Sequence, residues 1–164
     1  YFVRPDGATV HYDKRHLFTY GGEHKEYTGG DRRVIAEYKG WRILLQVCYD
    51  LRFPVWSRNR DDYDMILYVA SWPTPRVEAW NALLKARAIE NVCYVAGVNR
   101  VGDDPNCNYC GGTVLLDFLG KPLADAGTGG QPATLSAEAD KISLTTFREK
   151  FPALQDADPF TLNI

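Results

Sequence analysis

The sequence has few of the residues that would assign it to a disulfide-rich or metal-binding class. Its 164 residues include four cysteines and three histidines. A chain of this length can be stabilised by apolar burial, so four cysteines do not indicate a disulfide scaffold, and we expect them to be reduced. The pair Cys107 and Cys110 has the spacing of half a zinc site, but no second pair exists and all histidines lie far away in sequence. We therefore expect no metal and no cofactor.

A large charge of one sign and long apolar runs are also missing. The formal net charge is −2 and the pI is about 5.9, which gives no field that would attract nucleic acid or an acidic membrane surface. No apolar run approaches the roughly 18 residues that span a bilayer. Tyr1–Gly7 places an arginine and a proline where a signal peptide has its apolar core. We expect a cytoplasmic protein without a nucleic-acid or membrane partner.

Strand and helix patterns alternate along the chain, which predicts an α/β fold in a single domain over residues 1–164. Strands are expected at residues 9–13, 33–38, 41–48, 65–70, 93–99, 113–117 and 133–137, and helices at 54–59, from the end of segment 72–76 to about 91, and at 139–150. Segments 21–30 and 102–111 are expected to be loops. On the long helix, small and apolar residues recur at helical spacing, and we expect them to face the sheet: Ala79, Ala82, Leu83, Ala86 and Ile89.

The stretch Trp41–Pro54 gives the clearest indication of chemistry. An apolar strand ends on Cys48 and turns at once into polar, aromatic and proline residues. Open α/β sheets bind their ligands at the carboxyl ends of strands, and a nucleophile on such a turn has its side chain directed outward. The alternative is that Cys48 is a small buried apolar residue.

Three motifs in the same order resemble the nitrilase superfamily of carbon-nitrogen hydrolases. The segment from Cys48 to Pro54 resembles its nucleophile motif, and Tyr12–Phe18 followed by Glu23 resembles its lysine motif and the glutamate after it. Arg87–Asn91 with the strand after it resembles the elements that support the site. The similarity is strongest to the omega-amidase branch, through residues 48–59, 72–76 and 148–158.

This resemblance implies a four-layer α-β-β-α sandwich that commonly forms dimers. It also implies that Cys48 is the nucleophile and forms a thioester acyl-enzyme with a small amide, releasing ammonia. Lys14 would favour the thiolate and, with the backbone N–H of Tyr49, stabilise the oxyanion. Glu23 would be the second glutamate of the family, which orients the lysine.

The family also has a strand-helix-strand portion that carries a first catalytic glutamate before this point, and no segment of the sequence matches it. We therefore expect an amino-terminally incomplete domain that needs the missing segment, either from the same gene or from a separate amino-terminal fragment.

Omega-amidases act on short dicarboxylic monoamides such as alpha-ketoglutaramate, and the free carboxylate of such a substrate calls for an arginine. We favour Arg76 in this role over Arg52, because Arg52 could form an ion pair with Asp50. Trp72 would form a wall of the pocket, although a plain core position is almost as consistent with the sequence.

Four alternatives remain open from the sequence. The enzyme could hydrolyse an N-carbamoyl compound or another small amide, or the chain could be a non-catalytic truncated scaffold or binding module. His16 or His24 could serve as the base of a cysteine-histidine enzyme, although the lysine motif explains His16 as a packing residue. Cys107 and Cys110 could bind metal or form a redox pair, against the simpler interpretation of two incidental thiols in a surface loop.

Overall fold

The computed structural model describes residues 1–162 and is built around one mixed sheet. Its strands are β1 (Phe2–Val3), β2 (Thr9–Val10), β3 (Ile35–Tyr38), β4 (Trp41–Val47), β5 (Met65–Ala70), β6 (Tyr94–Asn99), β7 (Val101–Asp103), β8 (Asn108–Cys110), β9 (Val114–Leu116) and β10 (Pro122–Asp125). Its α-helices are α1 (Pro54–Ser57), α2 (Val77–Glu90) and α3 (Lys141–Lys150). No helix in residues 1–162 is long and apolar enough to cross a membrane.

Six strands form the main sheet in the order β10-β9-β6-β5-β4-β3. The three central strands β4, β5 and β6 are parallel, and the outer pairs are antiparallel. Two short hairpins, β1–β2 and β7–β8, lie outside this sheet. The predicted α/β class is confirmed, and the carboxyl ends of three parallel strands meet at one edge, which is where a ligand site is expected.

Helix α2 packs closely on one face of the sheet. A side chain at Gly97 on β6 would come within 2.5 Å of Leu84, so glycine permits this close approach. Trp80, Leu84, Arg87 and Ala88 form the buried face of the helix. The predicted face is correct only in part: Ala79 and Leu83 pack against the core, whereas Ile89 is 54% exposed and Ala82 is also exposed. The sheet contributes the small residues at this contact and the helix contributes the large ones.

The opposite face of the sheet is apolar and partly open. Alternation along β4 to β6 places Leu45, Val69 and Val98 on this face, and the last two are 47% and 45% exposed. Helix α3 covers only one end of the face, where Leu144 packs with Trp41 and other apolar residues. Of the four-layer sandwich that the resemblance implies, the described residues form the sheet and the helices packed on it.

Several local predictions differ from the structure. Segment 102–111 is mostly the β7–β8 hairpin rather than a loop, and Asp104 accepts hydrogen bonds from the backbone N–H groups of Asn106 and Cys107 at its turn. Residues 133–137 form no strand, strand 9–13 shortens to Thr9–Val10, and β10 was not predicted. The sequence does not distinguish this hairpin from a loop, because turn-forming residues are typical of both.

Candidate active site

Cys48 lies at the carboxyl end of β4, where the chain enters a 3₁₀ turn over Cys48–Arg52. Its backbone φ is 47°, which is in the left-handed region that residues with a side chain rarely adopt. Such a conformation costs on the order of 1–3 kcal/mol and persists only where its surroundings enforce it. The thiol is partly buried and directs its hydrogen toward the carbonyl oxygen of Ser71, with 4.0 Å between Sγ and that oxygen.

The turn is held by the carboxylate of Asp50, which is fully buried. Its Oδ2 accepts hydrogen bonds from the backbone N–H of Val47 (3.0 Å) and the hydroxyl of Tyr12 (2.9 Å). Its Oδ1 accepts one from the backbone N–H of His16 (3.0 Å) and lies 2.9 Å from His16 Nδ1. Within residues 1–162 Asp50 forms no ion pair with Arg52, so that expectation was wrong.

Lys14 and Glu23 form a tight ion pair. Lys14 Nζ donates to both carboxylate oxygens of Glu23, at 2.9 and 2.6 Å, and the lysine side chain is only 14% exposed. Glu23 Oε2 also accepts a hydrogen bond from the backbone N–H of Phe18 at 2.8 Å. The Lys14 carbonyl oxygen accepts from the backbone N–H of Gly30, where a side chain would come within 2.3 Å of the Asp13 carbonyl oxygen. The glycine-rich loop therefore closes tightly around the lysine.

The surroundings of Cys48 favour the protonated thiol. Burial raises the pKa of the thiol above its ordinary value of 9.0, and the Lys14 ammonium lowers it in part. Glu23 and Asp50 raise the pKa further by charge repulsion. The expectation that Lys14 favours the thiolate has the correct direction, but burial is the larger effect. A group that accepts the thiol proton is therefore needed before this sulfur can attack.

A cavity of about 810 Å³ at this edge of the sheet brings the predicted site residues together. All seven line it: Lys14, Glu23, Cys48, Tyr49, Arg52, Trp72 and Arg76. Its volume is in the range of small-molecule sites. Neither His16 nor His24 lines it, and the His16 ring stacks on Phe53 with 3.8 Å between ring centroids.

Two arginines in this cavity lie against aromatic rings. The guanidinium of Arg52 is 5.0 Å from the ring centroid of Trp72, and that of Arg76 is 5.5 Å from the ring centroid of Phe18. The indole N–H of Trp72 donates to the Arg76 carbonyl oxygen at 2.7 Å. Trp72 is 3% exposed and packs on the core residue Trp80, so it is both a core residue and a wall of the cavity. No carboxylate within residues 1–162 forms an ion pair with either arginine, which leaves both able to bind an anion.

Sequence reasoning missed several contacts of this site. Arg87, which the resemblance placed among the elements that support the site, is buried on α2 and donates to the Leu51 carbonyl oxygen of the 3₁₀ turn Cys48–Arg52 at 2.6 Å. Cys107 and Tyr109, from the β7–β8 hairpin, also line the cavity. Nothing in the local sequence indicates these contacts, because each depends on a distant element. Among the described residues, no three His, Cys, Asp or Glu side chains are grouped so that they could hold a metal ion.

Comparison with known proteins gives a consistent result. The sequence model of the carbon-nitrogen hydrolase family matches residues 1–149. The chain is 57% identical to omega-amidase YafV from Yersinia enterocolitica over 98% of its own length and 62% of that protein. It is 33% identical to 2-oxoglutaramate amidase from Bacillus subtilis, over 95% of its own length and 61% of that protein.

Solved structures agree with these sequence matches. The fold superposes with a TM-score of 0.90 on XC1258 from Xanthomonas campestris, a CN-hydrolase superfamily protein with an arsenic adduct in its active site. That pair is 49% identical, over 97% of this chain and 63% of the other. The chain thus spans about 62% of the length of the omega-amidase YafV proteins that it matches. On the family match and these identities, the chain belongs to the carbon-nitrogen hydrolase family, within the nitrilase superfamily.

Proposed function

We propose that this chain carries the cysteine, the lysine and the second glutamate of an omega-amidase-like amidohydrolase. Its substrate is a small linear amide with a free carboxylate, such as 2-oxoglutaramate. The observation that carries the proposal is the cavity in which Cys48 lies with Lys14, whose ammonium is bound by both oxygens of Glu23. The 57% identity to an omega-amidase supports the choice of branch.

The proposed reaction starts with attack of the Cys48 sulfur on the amide carbonyl carbon, after the thiol proton has passed to a general base. The carbonyl oxygen takes up the negative charge, which the Lys14 ammonium and the backbone N–H of Tyr49 stabilise. The carbon-nitrogen bond then breaks, and the nitrogen takes the proton from the general base. Ammonia departs, and the acyl group stays bound to the Cys48 sulfur as a thioester. Water hydrolyses the thioester and regenerates the thiol. One oriented oxyanion donor typically contributes about 2.7–4 kcal/mol to such a step.

Glu23 acts in this scheme by holding Lys14. Both of its oxygens accept from the ammonium, and one also accepts from the backbone of Phe18. A lysine bound in this way keeps its position as the carbonyl oxygen becomes negative. Following the family resemblance, we propose that the general base is the family's first catalytic glutamate.

Arg76 is proposed to bind the substrate carboxylate, with Arg52 as the second candidate. Both line the cavity on aromatic rings and have no carboxylate partner in residues 1–162, so a carboxylate of the substrate would be their natural counter-ion. The planar guanidinium offers two parallel donors to a carboxylate. Dimer formation, an additional amino-terminal fragment and a cytoplasmic location stay predictions from the sequence and the family.

The experiment is ammonia release from a panel of amides, with the parent protein and Cys48→Ala compared in the full-length protein. The panel contains 2-oxoglutaramate, a neutral amide of equal length and an N-carbamoyl amino acid. Turnover of 2-oxoglutaramate that depends on Cys48, with a trapped acyl adduct on that residue by mass spectrometry, supports the proposal. Preference for the N-carbamoyl compound would replace the substrate assignment, and absence of both turnover and adduct would indicate a non-catalytic scaffold.

A further inference from the structure

The groups proposed for catalysis lie on two segments that are distant in sequence. Lys14 belongs to the segment of residues 12–16, which has almost no regular structure of its own. Cys48 belongs to the 3₁₀ turn after β4. Attack by the sulfur and stabilisation of the oxyanion require the two side chains to face the same substrate carbonyl. Something must therefore fix the first segment against the second.

Asp50 makes this connection from the nucleophile turn. One of its hydrogen bonds stays within its own segment, from the backbone N–H of Val47. The other contacts cross to the lysine segment, to the hydroxyl of Tyr12 and to the backbone and ring of His16, 34 residues away for His16. These contacts bracket Lys14 on both sides in sequence. The carboxylate thus contacts residues two positions before and two positions after the lysine, while it belongs to the turn that carries the sulfur.

The hydroxyl of Tyr12 is itself fixed in direction. It accepts hydrogen bonds from the backbone N–H of Arg15 at 3.1 Å and from the indole N–H of Trp56 at 2.9 Å. A hydroxyl has two acceptor positions and one proton, so with both positions filled the proton goes to Asp50. The contact to Asp50 is therefore specific in direction, and it depends on an acceptor at that carboxylate oxygen.

The charge of Asp50 works against the chemistry proposed for Cys48. It raises the pKa of the thiol, and within residues 1–162 no lysine or arginine forms an ion pair with this fully buried carboxylate. Burying a carboxylate without a lysine or arginine partner costs free energy, and the ring that faces Asp50, that of His16 with Nδ1 at 2.9 Å, is cationic only when it is protonated. The negative charge of Asp50 therefore does not explain why an aspartate occupies this position. The hydrogen bonds that its two carboxylate oxygens accept do explain it.

We propose that Asp50 is the positioning residue that holds the lysine segment in register with the nucleophile turn, by accepting hydrogen bonds from Tyr12 and His16. This inference rests on the proposed function, because it assumes that Lys14 and Cys48 act on one substrate. It adds a role for a residue that does not itself touch the substrate.

Asp50→Asn removes the charge together with part of the hydrogen bonding. In either orientation of the amide, its NH₂ group faces a backbone N–H, that of Val47 or that of His16, so at least one contact is lost. In the full-length protein we expect kcat for 2-oxoglutaramate to fall about 100-fold, the effect of a misplacement of about 1 Å, with KM changed less than about threefold.

The second measurement is alkylation of Cys48 by iodoacetamide across a pH series, followed by peptide mass spectrometry. If Lys14 moves away, the thiol loses the influence that lowers its pKa, and this influence is larger than that of Asp50. We therefore expect alkylation at pH 7 to be slower in Asp50→Asn than in the parent. If Asp50 acted only through its charge, the variant would be alkylated faster, and this result would overturn the proposal.

Two further variants serve as control and as backup. Asp64→Asn changes a similarly buried carboxylate at the opposite end of β5 and should lower stability without changing the alkylation rate of Cys48.

Tyr12→Phe retains the charge of Asp50 and removes one hydrogen bond to it. It should lower kcat about tenfold and change the alkylation rate in the same direction as Asp50→Asn. If Asp50→Asn does not fold, a folded Tyr12→Phe with parental kcat and alkylation rate refutes the proposal. Full turnover in Cys48→Ala would instead refute the proposed function, while the alkylation comparison would still report whether Asp50 places Lys14.

Discussion

Replacing Asp64 with asparagine should destabilise the protein strongly at neutral pH and much less at acidic pH. Asp64 is 2% exposed and precedes β5. Its carboxylate accepts from Arg42 Nη2 at 2.8 Å and lies 3.1 Å from Lys141 Nζ and 3.3 Å from Arg148 Nη1. These cations come from β4 and α3, so one carboxylate connects the sheet to the carboxyl-terminal helix.

The magnitude follows from the pKa. Burial alone would raise the pKa of Asp64, but the hydrogen bonds from Arg42 and Lys141 outweigh it and lower the pKa from 3.8 to about 2. One pKa unit corresponds to about 1.4 kcal/mol, so the ionised carboxylate contributes roughly 2 kcal/mol. Because the folded pKa is the lower one, this contribution is complete above the unfolded value of 3.8 and is lost as the pH falls through about 2.

The assay is urea unfolding of the parent and of Asp64→Asn at several pH values between 7 and 2. We expect the difference in unfolding free energy to be roughly 2 kcal/mol at pH 7 and to shrink steadily below pH 4. Because other carboxylates titrate in both proteins, their contributions cancel in the difference. A difference that stays constant from pH 7 to pH 2 would show that packing, and not the charge, accounts for the loss.

The remaining predictions concern activity. Cys48→Ala should abolish turnover and leave the unfolding free energy almost unchanged, so comparable rates would end the nucleophile assignment. Single replacements of Cys93, Cys107 and Cys110 by alanine should retain activity, whereas a loss at either of the last two that is accompanied by bound zinc would revive the metal hypothesis. Arg76→Leu should reduce the preference for 2-oxoglutaramate over a neutral amide by about 1.5–3 kcal/mol, and an unchanged ratio of kcat/KM values would move the carboxylate site elsewhere.

The central strands were predictable because their sequence pattern is local. Residues 65–70 are a continuous apolar run, which is typical of a strand with neighbours on both sides, and β5 is paired in parallel with β4 and β6. The hairpin of β3 and β4 followed from the turn at Lys39 and Gly40, and both have positive φ in the structure. The position of Cys48 at a strand end followed from the same reasoning.

The buried face of α2 could not be predicted in this way. It includes Arg87, whose charge suggests a solvent-exposed position. The structure buries this guanidinium because the carbonyl oxygen of Leu51 and the carboxylate of Glu90 accept its hydrogen bonds. One of these partners lies on the nucleophile turn, 36 residues away. A periodicity argument that counts only apolar residues therefore omits the buried Arg87 and includes the exposed Ile89.

The contacts of Asp50 were also beyond the local sequence. Its nearest charged neighbour in sequence, Arg52, suggested an ion pair, but the arginine turns to the ring of Trp72 instead. The partners of the carboxylate are found on the lysine segment. The family resemblance identified both motifs, and only the three-dimensional structure shows what joins them.

Removal of the thiol proton of Cys48 is the step of the proposed chemistry that still needs a residue to carry it out. The carboxylates that line the cavity, within residues 1–162, are those of Asp13 and Glu23. Glu23 is occupied by Lys14 through both oxygens, and a proton transferred to it would weaken the ion pair that holds the lysine. The side chain of Asp13 is 69% exposed and lies 3.8 Å from His11, and no hydrogen bond in residues 1–162 joins it to Cys48. Because burial raises the pKa of the thiol, the proposed attack by Cys48 needs a carboxylate that is free of Lys14 to accept the thiol proton, the role that the family resemblance gives to a first glutamate.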